Sequence, residues 1–221
     1  MIKACVFDLD GTLLDTITTI SHYVNMALNK FGLPSIETER FKYLVGNGAK
    51  ILIERSLNEV DAYSEEMFEK VFAYYNEKYN ADTKLYTEPY PGIYELLNEI
   101  KKENLLTAVV SNKPDFATKS VIKDFFEDGL IDIPRGQVEG VPVKPDPAGA
   151  IEVLKQLGVT PEESIYVGDT CVDMQTGKSL GAFTIGVLWG FREYDELKSN
   201  GADLIVEKPS EIMDYIKKVN G

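Results

Sequence analysis

Asp8-Leu9-Asp10-Gly11-Thr12-Leu13-Leu14-Asp15-Thr16 follows directly on the apolar run of Ile2, Ala4, Cys5, Val6 and Phe7. The run reads as a short buried strand, and the glycine after the second aspartate marks a turn leaving a sheet. Two carboxylates so close together repel each other and are costly to desolvate. A strand end holds such a pair most readily where a cation binds or where the carboxylates do chemistry. Taken by itself, the stretch also allows a plainer reading, a strand-to-turn cap with solvated aspartates.

Three further stretches bear on that choice. Ser111-Asn112 closes a second apolar run, 105–110. Gly168-Asp169 closes a third, 165–167, and Asp173 follows four residues later. Lys144-Pro145-Asp146-Pro147 stands just before a helical pattern. In open α/β sheets, ligands bind at the carboxyl ends of strands. Polar groups at three strand ends, with one lysine before a helix, are therefore placed for a shared site.

The organisation of the chain fits a sheet with an insertion. Strands expected at 105–110, 165–167, 183–187 and 204–206 alternate with helices at 93–100, 113–126, 146–157, 171–180 and 209–219. Such alternation predicts a parallel sheet with right-handed crossovers. Residues 16–84 show helical spacing and no convincing strand. Asp15 is the expected cap of the first of these helices, and Ser64-Glu65-Glu66 the start of a later one. Met67, Phe68, Val71, Phe72, Tyr75 and Tyr79 line one helical face, which reads as packing. The expected division is a core of 1–15 and 85–221 with a helical insert of 16–84. His22, the single histidine, falls on an insert helix, so histidine-based catalysis is not expected.

These pieces, in this order, resemble the haloacid dehalogenase-like hydrolase superfamily. The 8–16 stretch is similar to its first motif, Ser111 to its second, Lys144 to its third and 168–173 to its fourth. Within the superfamily, Val45–Lys50, Val110–Pro114 and the segments around Lys144 and Asp169 look most like phosphoglycolate phosphatases. The resemblance implies an α/β fold, a Rossmann-like parallel-sheet core with an inserted helical cap of the four-helix type. It implies magnesium-dependent hydrolysis of a small phosphate monoester, 2-phosphoglycolate foremost, through a phosphoaspartate. Asp8 is then the nucleophile, since a carboxylate can attack phosphorus and split hydrolysis into two steps. Magnesium, which prefers oxygen ligands, would be held by Asp8, Asp169 and the Asp10 backbone carbonyl. The Asp10 side chain is left for general acid–base work, its alternative being a second metal carboxylate. Lys144 would pair with phosphate oxygens. Ser111 would add its hydroxyl, and Asn112, Gly11 and Thr12 backbone N–H groups. Asp173 resembles an outer carboxylate that orients metal-bound water, and it could equally serve as a helix N-terminal charge. The Gly46-Asn47-Gly48 loop resembles the cap loop that closes over the leaving group. Lys50 and Lys113 are candidates to meet a substrate carboxylate. Trp189-Gly190-Phe191-Arg192 could rim the site, although packing is the preferred reading.

Composition narrows the classes. Asp and Glu number 36 against 23 Lys and Arg, a net charge of −13, which argues against a broad grip on nucleic acid or an anionic membrane. A phosphate site in such a field must be positive locally. Cys5 and Cys171 read as reduced packing residues, and no signal or membrane-spanning segment is evident, so a cytoplasmic protein is expected. The expected partner is a small phosphorylated metabolite, with the chain a monomer or homodimer. Rival readings are an inorganic pyrophosphatase, or a sugar-phosphate phosphatase or mutase of the same superfamily. Thr12 stands where the mutase relatives carry a bulky aliphatic residue. From another class, a non-catalytic regulatory binding protein on the same fold remains.

Overall fold

β1 (Ala4–Phe7) is buried at every residue, which is why its sequence runs apolar without alternating. The computed structural model describes Met1–Gly221, which form two compact units. The first comprises Met1–Asp15 and Pro89–Gly221, the second Thr16–Glu88. The second crossing thus falls four residues beyond the expected boundary.

In the first unit, β4 (Leu106–Pro114), β5 (Ile133–Gln137), β6 (Ser164–Gly168), β7 (Phe183–Val187) and β8 (Leu204–Val206) join β1. The six-stranded sheet has the order β5-β4-β1-β6-β7-β8, and its pairs are parallel. Alternate residues of β1 face opposite ways. Cys5 and Phe7 join Val109, Ile165 and Val167 in one core cluster. This face is covered by α5 (Ile93–Lys102), α6 (Asp115–Phe125) and α10 (Ser210–Asn220), through Leu97, Val121 and Ile212. Val6, Ala108 and Tyr166 face the other way, onto α7 (Ala148–Leu157) and α8 (Cys171–Leu180). α9 (Tyr194–Ser199) packs beside α8 and β8, with Leu197 and Met174 in one small cluster.

The second unit holds four helices, α1 (Ile17–Lys30), α2 (Thr38–Leu44), α3 (Ala49–Glu59) and α4 (Glu65–Ala81). Tyr23 of α1 meets Tyr79 of α4 edge to face at 5.8 Å, so this part of the aromatic stripe is interhelical packing. Ser64 caps α4, its hydroxyl accepting from the Met67 N–H. β2 (Leu14–Asp15) and β3 (Glu88–Pro89) form a separate two-stranded sheet.

Four expectations need correction. Asp15 does not cap α1: it is still in extended chain, and the N-cap is Thr16, which makes no side-chain cap bond. Lys113 and Pro114 belong to β4, not to a helix, because pairing with β5 resumes at Pro114 after a register break beyond Val110. β5 itself escaped notice because Pro134 and Gly136 interrupt its pattern; an edge strand tolerates both. The single turn and a half of α9 was likewise too short for a period to show. Both cysteines are free thiols, and burial pushes Cys5 up to about 12. No helix is long and apolar enough to cross a membrane.

Candidate active site

Sheet register brings the motifs level. Phe7 lies opposite Val109 on β4 and Val167 on β6. The Asp8 N–H then donates to the Val167 carbonyl at 2.9 Å, so Asp8 leaves β1 where β6 ends, beside the Val109–Ser111 stretch of β4. Ser111 and Asp169 each stand two residues beyond those partners, on the same edge of the sheet. α8 starts at once after Asp169 and carries Asp173 in its first turn.

Asp8, Asp169 and Asp173 each offer a carboxylate oxygen within 4.8 Å of the others, and all three are buried. Lys144 stands among them. Its Nζ lies 2.7 Å from Asp173 Oδ1 and 2.7 Å from Asp8 Oδ1. Lys144 is thus ion-paired with two buried carboxylates at once. Burial pushes Asp8 up to about 7, with the Asp173 charge adding to it and Lys144 opposing it. Burial, then Asp173 and Asp8, holds Asp169 well above the usual carboxylate range, against N–H and hydroxyl donation from Phe191 and Thr12. Burial also disfavours the Lys144 ammonium, but Asp173 and Asp8 outweigh it and keep the lysine charged.

Neighbouring groups fix these side chains. The Asn112 side chain accepts from the Lys144 N–H at 2.8 Å and donates to the Lys144 carbonyl at 3.1 Å. Asp173 Oδ2 accepts from the Thr170 N–H at 3.1 Å and hydroxyl at 2.7 Å, so Asp173 caps its own helix as well as holding Lys144. Asp169 accepts from the Thr12 hydroxyl at 3.1 Å and the Phe191 N–H at 2.9 Å. Trp189 Nε1 donates to the Thr12 carbonyl at 2.9 Å. The Trp189–Phe191 segment therefore braces the site besides packing, a role its sequence did not disclose. A strand end two residues before Trp189 was the available signal.

Gly11, at φ +91°, makes the turn after Asp10. A Cβ there would lie 2.3 Å from Asp169 Oδ2, and one on Gly190 would lie 2.4 Å from the Gly11 carbonyl oxygen. Both glycines are needed for the two loops to close on Asp169. The Gly11 N–H donates to the Leu14 carbonyl at 2.9 Å and the Thr12 N–H to Leu9 at 3.3 Å. These two amides, expected to face a phosphate, are engaged inside the turn instead. Ser111 is buried at the same edge, its hydroxyl accepting from the Lys113 N–H at 3.2 Å.

The Asp10 carboxylate stands outside the three-carboxylate cluster. It is taken by Lys113, whose Nζ lies 2.7 Å from Oδ1 and 3.1 Å from Oδ2. Lys50 is exposed on α3, and Gly46, Asn47 and Gly48 join α2 to α3 in the helical unit. Three buried carboxylates with oxygens within 4.8 Å of one another are a hard-oxygen donor set that suits magnesium, and Asp8 and Asp169 would hold it.

Comparison with known proteins bears on this arrangement. A family model described as haloacid dehalogenase-like hydrolase matches residues 5–187. Phosphoglycolate phosphatase of Aquifex aeolicus is 32% identical over 211 residues, covering 96% of this chain and 95% of its own. N-acetylmuramic acid 6-phosphate phosphatase of Pseudomonas aeruginosa is 28% identical over 221 residues, covering 98% and 96%. A crystal structure from Lactobacillus delbrueckii subsp. bulgaricus, provisionally described as a phosphoglycolate phosphatase, superposes with a TM-score of 0.92. It is 29% identical and covers 97% of this chain and 98% of its own.

Proposed function

The chain belongs to the haloacid dehalogenase-like hydrolase family, and from that membership we propose that it is a magnesium-dependent phosphatase of small phosphate monoesters, 2-phosphoglycolate first among them. What supports the reading most is one meeting of groups: Asp8, with a buried lysine on its carboxylate, and Asp10, two residues on, turned out of the cluster.

The Asp8 carboxylate attacks phosphorus while the bond to the ester oxygen breaks. Asp10 gives its proton to the departing alcohol. It then takes a proton from water, which attacks the phosphorus of the acyl phosphate and releases inorganic phosphate and free Asp8. Lys144 and the Ser111 hydroxyl stabilise charge on the phosphoryl oxygens. When bound, magnesium supplies positive charge that neutralises phosphate and keeps Asp8 and Asp169 ionised. The Asp10 backbone carbonyl would join Asp8 and Asp169 in holding that ion, and Asp173, which holds Lys144, would orient the ion's water. We read the helical unit as a cap, with Gly46-Asn47-Gly48 as its substrate loop.

A second substrate reading, N-acetylmuramic acid 6-phosphate, is favoured by the Pseudomonas aeruginosa relative. Phosphate release from phosphoglycolate, N-acetylmuramic acid 6-phosphate, pyrophosphate and hexose phosphates, with magnesium and with chelator, separates the readings. Magnesium-dependent turnover biased to phosphoglycolate is expected. Turnover of another ester removes the substrate and keeps the chemistry. No release from any ester by folded protein with magnesium favours a binding protein on this fold.

A further inference from the structure

Lys113 is a buried cation that the proposed reaction does not use. Its side chain is 4% exposed, while that of its partner Asp10 is 19% exposed, so the pair sits at the solvent edge of the site. Lysine is seldom buried unless its charge is employed. The other buried lysine, Lys144, faces two carboxylates of the cluster. Lys113 instead holds both oxygens of the one carboxylate assigned to the leaving group. An ammonium has three N–H donors, enough for a second anion beside Asp10.

We propose that Lys113 selects substrates whose alcohol half carries a carboxylate a single carbon from the ester oxygen. The inference rests on the phosphatase reading above and names the substrate class of that same site. A leaving oxygen in hydrogen-bond contact with Asp10 lies within about 6 Å of Lys113 Nζ, two contacts of about 3 Å each. In a phosphorylated two-carbon hydroxy acid, the carboxylate oxygens lie about 3 Å from the ester oxygen by ordinary bond lengths. One charge-assisted contact of about 2.8 Å to the ammonium closes the remaining gap. A carboxylate on a long spacer overshoots, and a neutral alcohol offers Lys113 nothing. Lys113 then lies between two carboxylates, one the chain's own and one the substrate's.

The test compares phosphoglycolate with the phosphate ester of glycolamide, the same shape without the charge. Both are measured on the whole protein with magnesium, in wild type, Lys113→Met and Lys113→Arg. Wild type should favour phosphoglycolate in kcat/KM by about 10- to 100-fold, the worth of a hydrogen bond to a charged group. Lys113→Met should reduce that ratio to within a few-fold, chiefly by raising KM for the acid, and Lys113→Arg should keep most of it. If Lys113→Met slows both esters by one factor and leaves the ratio intact, Lys113 acts only through Asp10 and the proposal is overturned. A wild-type ratio near one overturns it even if no variant folds. Hydrolysis without charge discrimination removes this proposal alone, whereas hydrolysis of neither ester removes the phosphatase reading with it.

Discussion

Asp8 shows how the site is held against its own electrostatics. Its carboxyl is pushed up to about 7, first by burial and then by Asp173, whereas in the unfolded chain it titrates near 3.8. Between those values the folded state binds the extra proton, so this group lowers stability as pH rises, fully so above about 7. In chelator, Asp8→Asn should therefore gain stability over wild type at pH 8 and less than half as much at pH 5; urea unfolding at both pH values reads the difference. A gain that is larger at pH 5 would contradict the sign. The same variant should lose turnover by about 10⁴-fold or more, as when a nucleophile is removed. Asn112→Ala removes two bonds to the Lys144 backbone and should cost about 1–3 kcal/mol, again by urea unfolding. At this scale the sequence disclosed Asp8, Lys144 and Asp169 through residue type and place in the order of motifs. It could not disclose that Asn112 grips Lys144 or that Lys113 grips Asp10, because those pairs are 32 and 103 residues apart.

The elements place these residues by register more than by contact. Phe7 of β1 is level with Val109 of β4 and Val167 of β6, and a slip of one residue in β1 would turn Asp8 to the other face of the sheet. Apolar runs of three to six residues were enough to find those strands. β5 and α9 were illegible because Pro134 and Gly136 broke one pattern and six residues were too few for the other. The Asp15 expectation failed because a capping residue and an extended one look alike at a strand-to-helix junction. In the helical unit, Gly48 precedes α3 at φ 84° and ψ 170°, a conformation open to almost no other residue. Gly48→Ala should destabilise the protein by about 1–3 kcal/mol, and if the loop serves substrate choice it should also alter the ratio of KM values across esters. Thermal unfolding checks the first effect and the ester panel the second.

The whole molecule carries −13, so its distant field opposes the approach of any phosphate ester. Raising salt shortens that field's reach, to about 10 Å at 0.1 M, and should raise kcat/KM for phosphoglycolate in the diffusive regime. A fall over the same salt range would mean that the local Lys113 and Lys144 field already governs capture. The loss and return of strand patterns suggested a core of 1–15 and 85–221, whereas the first unit of the structure resumes at Pro89. The substrate was not legible, since it is set by side chains meeting from distant parts of the sequence. The covalent step on Asp8 is best met by acid-quenching the enzyme during turnover with magnesium, reducing with borohydride and sequencing the peptides. An acyl phosphate on Asp8 would be reduced to homoserine at position 8, and that is the expected result. Homoserine at another aspartate, or full turnover with position 8 never modified, would contradict it.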